Sequence, residues 1–306
     1  MNKMKTHKNS GSSFIKQINK KEGKYDIMAK LPVDVRTKTE VLIEDEFIFQ
    51  ELRKYLGLSD IGVKCSRQLW YGFRFCGREK ISARQERLFK RGHREELVIK
   101  EDLRKIGIIC QVDQDNQPEV ICGNGHMKGH CDDILSNVPD APTTDHLGEY
   151  KTHNDKSFKD LKKKGLIASK PTHYAQMICY MHLFGLKRGL YVGVNKNDDA
   201  RYYERISENP KGAIQLIQKG INIINAVTPP QKVGSSTWFE CKWCTFYQIC
   251  YFGEKPLVNC RTCKYSKVED EGKWSCNGYK MEILFERQKI GCKRHKFIPE
   301  LWCHKE

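Results

Sequence analysis

Apolar and polar positions along the chain show two periodicities, one typical of helices and one that alternates as in strands. Across residues 81–106 the apolar positions recur at helical spacing and Gly107 closes the segment, which predicts a long helix. Similar patterns predict a second helix at residues 172–186 and a third at residues 210–226. Two consecutive prolines then follow and end the third helix, because proline cannot continue the helical hydrogen-bond pattern.

Short segments between these helices have the pattern of strands. The turn-rich stretch DQDNQP separates the first two, and the lysine-rich segment 156–164 leads from the fourth into the second helix. The order of helix, strands, helix, strands and helix predicts a mixed α/β core. The predicted strands cover residues 108–112, 119–121, 126–135, 146–152, 189–195 and 200–206.

The two ends of the chain differ from this core. Residues 1–45 are polar and lysine-rich without sustained periodicity, which predicts a basic, weakly ordered arm. Residues 46–255 hold the predicted α/β domain, and residues 256–306 form a short cysteine-rich module. A chain of 306 residues with 39% hydrophobic and 30% charged residues is long enough for one substantial core with such a module appended.

Charge and hydropathy bear on partners and location. The formal charge of +16 and the pI near 9.2 favour a polyanionic partner. Nucleic acid is favoured over a membrane surface, because no lysine-rich helix with a clean apolar face stands out. No run approaches the length of a membrane span, and the first residues, MNKMKTHKNSGSS, lack the apolar segment of a signal peptide. We therefore expect a cytoplasmic protein of a bacterial, archaeal or phage-infected cell, with no membrane partner.

The stretch HLGEYKT places an acid and an amine on one predicted strand. Because side chains alternate along a strand, Glu149 and Lys151 point to one face and Tyr150 to the other. The preceding strand carries Asp132 and Asp133 and can bring a carboxylate beside Glu149. Two carboxylates at one site repel unless a cation lies between them, and oxygen ligands suit Mg²⁺ or Mn²⁺. A neighbouring lysine can orient a water and stabilise charge on a phosphate, so the pattern indicates metal-assisted phosphodiester hydrolysis.

These residues also carry a resemblance to a known superfamily. Gly129-x-x-Asp132 followed by Glu149-x-Lys151 resembles the second and third motifs of the PD-(D/E)XK nucleases. The resemblance covers about residues 60–250. It implies a restriction-endonuclease-like α/β core, in which a central mixed sheet is flanked by helices.

Two further motifs resemble the RecB-like branch of that superfamily. Upstream, the helical stretch RGHREEL supplies Gly92, His93 and Glu96 and resembles the first motif of the branch. Downstream, HYAQMICY carries Gln176-x-x-x-Tyr180, which resembles the Q-x-x-x-Y motif. Each motif alone is weak, but four of them occur in the right order on the right types of element.

The resemblance implies a role for each residue on the strands. Asp132 and Glu149 are expected to bind Mg²⁺ or Mn²⁺, with the carbonyl of Tyr150 as a third ligand. Lys151 is expected to position or activate the attacking water. Asp133 is expected to face away, because adjacent strand residues point to opposite faces.

The helical residues have implied roles as well. Glu96 and His93 are expected to close the metal site from the first helix. Gln176 and Tyr180, which share a helix face with His173, are expected to contact the DNA backbone or to brace the lysine. For His93 and His173 taken singly, an exposed helix histidine is the alternative interpretation.

The cysteines are numerous and clustered. Of fourteen cysteines, seven fall between Cys241 and Cys292, which points to metal in a compartment where disulfides rarely persist. Cys241, Cys244 and Cys250 lack a fourth ligand, for which Cys65 is the candidate. One cysteine before the nuclease core and three after it resembles the iron–sulfur branch of the RecB-like nucleases. That branch includes the CRISPR-associated adaptation exonucleases and the AddB-type helicase–nuclease subunits. The resemblance implies a [4Fe–4S] cluster that ties together the two ends of the nuclease domain, with zinc as the alternative.

A second group of cysteines lies in the C-terminal module. This module is too short to be stable through its own hydrophobic core without a bound metal or another cross-link. We expect a structural Zn²⁺ there, bound by Cys260, Cys263, Cys276 and Cys292, with His295 as an alternative ligand. The other cysteines are expected to be ordinary core or surface residues, namely Cys76, Cys110, Cys122, Cys131, Cys179 and Cys303.

Together these patterns predict a metal-dependent DNA nuclease and favour an exonuclease in DNA recombination, repair or phage DNA processing. The expected partners are DNA and a helicase or a single-strand annealing protein. One alternative is a structure-specific endonuclease. Another is a non-catalytic DNA-binding protein that keeps the nuclease fold, which the intact set of Asp132, Glu149 and Lys151 disfavours.

Overall fold

A computed structural model of the chain describes residues 36–113 and 116–302. Residues 1–35 of the predicted N-terminal arm lie outside these residues, as does Cys303. The remainder of that arm contains a short helix that begins after the N-cap residue Thr37. Across the described ranges, no helix combines the length and the apolar character needed to cross a membrane.

Helices and strands alternate through the described chain. The helices are α1 (Lys38–Glu44), α2 (Ser66–Phe73), α3 (Ala83–Lys105), α4 (Asp155–Ser169), α5 (Pro171–Phe184), α6 (Pro210–Asn225), α7 (Phe239–Lys242), α8 (Tyr247–Phe252) and α9 (Phe285–Gln288). The strands are β1 (Phe47–Phe49), β2 (Leu56–Gly57), β3 (Lys80–Ser82), β4 (Ile109–Cys110), β5 (Glu119–Cys122), β6 (Met127–His130), β7 (Asp133–Ser136), β8 (His146–His153), β9 (Arg188–Asn195), β10 (Arg201–Ser207), β11 (Ser266–Val268), β12 (Trp274–Cys276) and β13 (Met281–Glu282).

A five-stranded mixed sheet forms the centre of the fold, in the order β10-β9-β8-β7-β4. Strands β8 and β9 run parallel, and the other pairs are antiparallel. A smaller sheet has the order β2-β6-β5, β1 and β3 form a two-stranded ribbon, and β11-β12-β13 form an antiparallel sheet near the C-terminus. The chain is therefore a mixed α/β fold, as the sequence predicts.

The central sheet is covered on both faces. Under α3, buried apolar residues of the helix pack against Tyr150, Val192 and Val194 of the sheet. On the opposite face, residues of α4, α5 and α6 join a larger core that includes Tyr191. Because β8 and β9 are buried on both sides, their residues belong alternately to the two cores.

The helix predicted for residues 81–106 begins two residues later, at Ala83. Ile81 and Ser82 belong to β3 instead, and the Ser82 side chain accepts the backbone N–H of Gln85 in a capping box. The predicted helix at 172–186 ends early at Phe184, because Gly185 adopts a left-handed conformation with φ of 72°. The lysine-rich segment 156–164 is itself helical, as part of α4.

The single strand predicted at residues 126–135 is wrong. The structure has two strands there, β6 and β7, which pair in different sheets and are separated at Cys131 and Asp132. The strand predicted at 108–112 is shorter, because the amide of Val112 is bound by the carboxylate of Asp133 at 3.1 Å and does not continue the ladder. Both differences lie beside the acidic residues.

The C-terminal segment packs on the domain core. Trp274 of β12 belongs to the larger core, and Arg261 is buried beside it. The Arg261 guanidinium donates to the backbone carbonyls of Phe73 at 2.8 Å and Lys54 at 2.7 Å, and lies over the Trp274 ring. These contacts join the segment to α2 and to the residues before it.

Candidate active site

Strand β8 presents an acid and an amine on one face. Glu149 is fully buried, and its carboxylate forms an ion pair with the ammonium of Lys151. The Tyr150 side chain points to the other face and joins the core under α3. The alternation predicted for HLGEYKT therefore holds in the structure.

Asp132 lies at the bend between β6 and β7 and faces the same ammonium. Its Oδ2 accepts the backbone N–H of Tyr150 at 2.9 Å, and the Lys151 Nζ lies 3.4 Å from that oxygen. The same Nζ donates to the carbonyl of Tyr150 at 3.2 Å. The bend thus places both carboxylates and the Tyr150 carbonyl around one lysine, and these are the proposed ligand groups.

A third carboxylate, Glu96, approaches from α3. Burial and the nearby charge of Asp132 raise the pKa of Glu96. His93, one turn earlier, has a side chain that is 75% exposed, and its Nδ1 lies 3.8 Å from the Glu96 carboxylate. Glu96 is therefore part of the acidic group, whereas His93 lies at its solvent edge.

Helix α5 closes the site from the sheet face that carries Glu149. Gln176 is buried, and its Nε2 donates to Glu149 Oε2 at 3.0 Å. Tyr180, one turn later, lies directly over the backbone of Gly129. A Cβ atom at Gly129 would lie 2.4 Å from the Tyr180 ring and from its hydroxyl, so this glycine leaves the space that the tyrosine fills.

The electrostatics of the group suit a bound cation. Burial raises the pKa of Glu149 to about 8, with Lys151 opposing that rise and Asp132 adding to it. Burial alone would lower the pKa of Lys151, but the two carboxylates outweigh it and raise that pKa. Carboxylates that share a desolvated site in this way repel one another, so they do not all ionise unless a positive charge is added. The donor types therefore suit a hard divalent cation with oxygen ligands, although the side chains of residues 36–113 and 116–302 are not arranged as a metal site.

Asp133 faces away from this group, as expected. Its carboxylate accepts the hydroxyl of Tyr150 at 3.1 Å and lies 3.5 Å from the ammonium of Lys100. Both Asp133 and Lys100 are buried, and Lys100 also donates to the carbonyl of Val112 at 2.8 Å. This buried pair anchors α3 to the sheet beneath the site.

A network around Tyr191 is not predicted by the sequence analysis. Its hydroxyl lies 2.8 Å from His153 Nε2 and 2.9 Å from His173 Nδ1. Burial, with nearby lysine charge, lowers the pKa of His153 to about 4 and that of His173 to about 3. Both rings are then neutral at pH 7, and the hydroxyl can donate to one and accept from the other.

The alternative of an exposed histidine at position 173 is therefore wrong. His173 is partly buried because α5 packs on the sheet at this point. One part of this network is visible in the sequence. Side chains alternate along a strand, so His153 of β8 is expected on the same face as Lys151. The position of Tyr191 beside Glu149 depends on the parallel register of β8 and β9.

The cysteines of the first group, although distant in sequence, line the same cavity in the structure. Cys65 is the N-cap of α2, with its sulfur 3.4 Å from the amide of Gln68. Together with the three downstream thiols it lines one cavity of about 60 Å³, and the four residues are Cys65, Cys241, Cys244 and Cys250. The structure therefore brings the distant cysteine to the C-x2-C-x5-C segment.

The second group also surrounds one cavity. Its lining includes all five candidates from the C-terminal module, namely Cys260, Cys263, Cys276, Cys292 and His295. The Nε2 of His295 lies 3.2 Å from the Thr262 hydroxyl. In residues 36–113 and 116–302, no three or more histidine, cysteine, aspartate and glutamate side chains are arranged so that they could hold a metal ion.

No family model matches the chain, and no curated protein matches it. Solved structures give matches at low identity. The protein SSO0001 is 20% identical, with a TM-score of 0.39 over 68% of this chain and 90% of that chain. An alkaline exonuclease from Laribacter hongkongensis, LHK-Exo, is 16% identical, with a TM-score of 0.40 over 56% of this chain and 86% of that chain. A phage-related exonuclease from Haemophilus somnus 129PT is 16% identical, with a TM-score of 0.32 over 44% of this chain and 67% of that chain. Two of these three structures are thus exonucleases, each at low identity.

Proposed function

We propose that the chain is a metal-dependent deoxyribonuclease that hydrolyses phosphodiester bonds and acts as an exonuclease. The observation that carries the proposal is the convergence of Asp132 and Glu149 on the ammonium of Lys151. Glu96 supplies a third carboxylate, and Gln176 holds Glu149 in place through a hydrogen bond of 3.0 Å. An acid, an acid and a lysine in a desolvated site are the groups that metal-assisted phosphodiester hydrolysis needs.

The chain's own residues have distinct parts in this chemistry. Asp132, Glu149, Glu96 and the carbonyl of Tyr150 would hold Mg²⁺ or Mn²⁺, with His93 at the outer edge. Such a cation, when bound, supplies activation of a water and neutralisation of phosphate charge. Lys151 remains a cation while its two carboxylate neighbours are ionised. It therefore donates hydrogen bonds to the attacking water and to the phosphate, and stabilises the negative charge that develops there.

DNA is the proposed substrate because of the charge of the chain. A protein with a formal charge of +16 that binds phosphates releases counterions on binding. Gln176 acts as a positioning residue for Glu149, and Tyr180 sets the distance between α5 and β6. In recombination or repair, a helicase or a single-strand annealing protein would deliver the DNA.

Digestion of two DNA forms tests the proposal. Purified protein is incubated with end-labelled linear DNA and with covalently closed circular DNA, each in Mg²⁺, Mn²⁺ or EDTA. We expect metal-dependent loss of nucleotides from the ends of the linear DNA only. Cutting of the circle would favour a structure-specific endonuclease. Binding without cleavage in either metal would favour a non-catalytic DNA-binding protein.

We also propose that the two cysteine groups hold metal. A [4Fe–4S] cluster bound by Cys65, Cys241, Cys244 and Cys250 would tie the start of the nuclease domain to its end. The support is that all four thiols line one cavity. An all-thiolate donor set suits a cluster as well as zinc, and the separate origin of Cys65 favours the cluster.

The C-terminal cavity would hold Zn²⁺ through Cys260, Cys263, Cys276 and Cys292. The contact between His295 Nε2 and the Thr262 hydroxyl supports the four thiols as the ligand set, with the histidine beside them. Structural zinc sites of this kind are tetrahedral and closed.

Metal analysis of anaerobically purified protein tests both assignments. We expect brown protein with about four irons and about one zinc per chain. Cys65→Ser should remove the iron and destabilise the nuclease domain, whereas Cys263→Ser should remove only the zinc. Colourless protein with two zincs would refute the cluster and leave the nuclease proposal standing.

A further inference from the structure

The solvent face of the ribbon formed by β1 and β3 carries two exposed aromatic rings. Phe47 and Phe49 are 45% and 51% exposed, and their ring centroids lie 5.6 Å apart in an edge-on arrangement. Residues two apart on a strand share a face, so both rings stand on one side of the ribbon. Lys80 pairs with Phe49 in the register and belongs to the same side.

Each ring is accompanied by a cation. The Lys80 Nζ lies 3.4 Å from the ring centroid of Phe47, and the Arg78 guanidinium carbon lies 5.6 Å from that of Phe49. The other side of the ribbon carries Ile81, which is buried, and its register partner Ile48, which is 51% exposed. The ribbon is therefore anchored through Ile81 of β3, and neither aromatic ring belongs to the core.

The ribbon leads directly into the helix that carries a residue of the active site. Strand β3 ends at Ser82, which caps α3, and Glu96 lies thirteen residues into that helix from Ala83. At 1.5 Å per residue the distance along the axis is about 20 Å. Phe89 lies about halfway and is 54% exposed.

The positive charge beside the rings lies on β3 and α3. Residues 78–94 contain seven lysines and arginines and two glutamates, whereas residues 40–51 around β1 contain five acidic residues and no lysine or arginine. An apolar protein partner would have to desolvate the cations beside both rings, whereas a nucleic acid would neutralise them. The chain's own residues 1–35 carry eight lysines and three acidic residues, so they have the same sign of charge as the ribbon.

We propose that this face binds single-stranded DNA, with bases stacked on Phe47 and Phe49 and phosphates bound by Arg78 and Lys80. Exposed aromatic rings interleaved with cations are the arrangement by which proteins bind single strands without sequence preference. At the 3.4 Å rise of a stacked DNA strand, about 20 Å corresponds to at most about six nucleotides between the ribbon and the acidic group. The link to cleavage rests on the proposed nuclease function, whereas the binding itself does not.

Binding of a fluorescein-labelled oligothymidylate in EDTA, measured by anisotropy, tests the proposal without cleavage. We expect the double variant Phe47→Ala with Phe49→Ala to bind about fivefold more weakly or worse, the loss of at least one stacked base. Double replacement by tryptophan should keep the affinity, and double replacement by leucine should lose it. Tyr203→Ala is the matched control, since Tyr203 is an aromatic residue of β10 that is 52% exposed.

The outcomes separate this proposal from the nuclease proposal. Wild-type affinity in the alanine or leucine double variant would overturn the ribbon assignment, whether or not the protein cleaves DNA. Binding of phosphatidylserine vesicles through the two rings, without binding of the oligonucleotide, would also overturn it. Weakened binding in a protein that does not cleave DNA would support the ribbon and refute only the nuclease function. If the protein cleaves, the alanine double variant should digest long single strands slowly and dinucleotides, which are too short to reach the ribbon, at the wild-type rate.

Discussion

Replacing Gly129 with alanine tests whether the contact between β6 and α5 sets the geometry of the proposed active site. The added Cβ would lie 2.4 Å from the ring and the hydroxyl of Tyr180. Non-bonded carbon atoms normally approach to about 3.5 Å, so one partner must move by about 1 Å. Tyr180 is buried and cannot swing into solvent.

The displacement should affect both stability and cleavage. Overpacking of a tight core costs about 1–3 kcal/mol in the free energy of unfolding. Asp132 follows Gly129 by three residues, and Gln176 lies one turn before Tyr180 on α5. Because a misplacement of about 1 Å in a catalytic group can cost about a hundredfold in rate, we expect cleavage to fall by about that factor.

Denaturant unfolding and single-turnover cleavage of linear DNA measure the two effects. Gly72→Ala in α2 is the control, since its Cβ would meet only the Phe246 ring at 4.0 Å, and it should be neutral or stabilise by about 0.5–1 kcal/mol. In a Tyr180→Ala background, Gly129→Ala should no longer destabilise, because the colliding ring is gone. An equal loss of stability with and without the Tyr180 ring would show that the collision with this ring is not the cause.

Three further predictions follow from buried charge and from the charge of the whole chain. Lys100→Met should destabilise the fold by about 3–5 kcal/mol in denaturant unfolding, because it leaves Asp133 buried without its cation, whereas Lys105→Met at the surface should leave stability unchanged. Comparable stability in the two variants would contradict the buried pair. Gln176→Leu removes a hydrogen bond that favours the ionised form of Glu149, so the pKa of Glu149 should rise above about 8. In metal-free protein the pKa of Glu149, followed by carbon NMR of its carboxyl group, should rise by about one unit or more, and an unchanged pKa would count against the role of Gln176. DNA affinity should fall steeply between about 50 and 200 mM salt, and a flat dependence would argue against phosphate contacts.

Local patterns predicted most of the elements, because each depends on neighbouring residues. The long helix, the Q-x-x-x-Y helix and the strand with Glu149 are found close to their predicted bounds. The observed ends differ from the predicted ones where a single residue sets the end of a helix. Ser82 caps the start of α3, and Gly185 ends α5. These signals are visible in the sequence once the cap residues are considered.

The remaining features depend on pairings between distant segments. The split of the predicted strand at Asp132 arises because β6 pairs with β2 and β5, whereas β7 pairs with β4 and β8. The position of Tyr191 beside Glu149 depends on the parallel register of β8 and β9. A hydrophobic pattern fixes the face on which a residue lies but not the strand that it pairs with. The residue types and the motif order therefore predicted the acidic group. They did not predict the bend at Asp132 or the histidine network around Tyr191.

The proposed nuclease function requires that Asp132, Glu149 and Lys151 form a catalytic site for DNA cleavage. The most direct test is single-turnover digestion of end-labelled linear DNA in Mg²⁺ by the wild type and by Glu149→Gln, which keeps the shape of the side chain. Glu119→Gln is the matched control, because Glu119 of β5 forms a surface ion pair with Lys128. We expect Glu149→Gln to bind DNA and keep its fold but not to cleave, while Glu119→Gln cleaves like the wild type. Cleavage by Glu149→Gln at the wild-type rate would rule out a catalytic role for the Glu149 carboxylate.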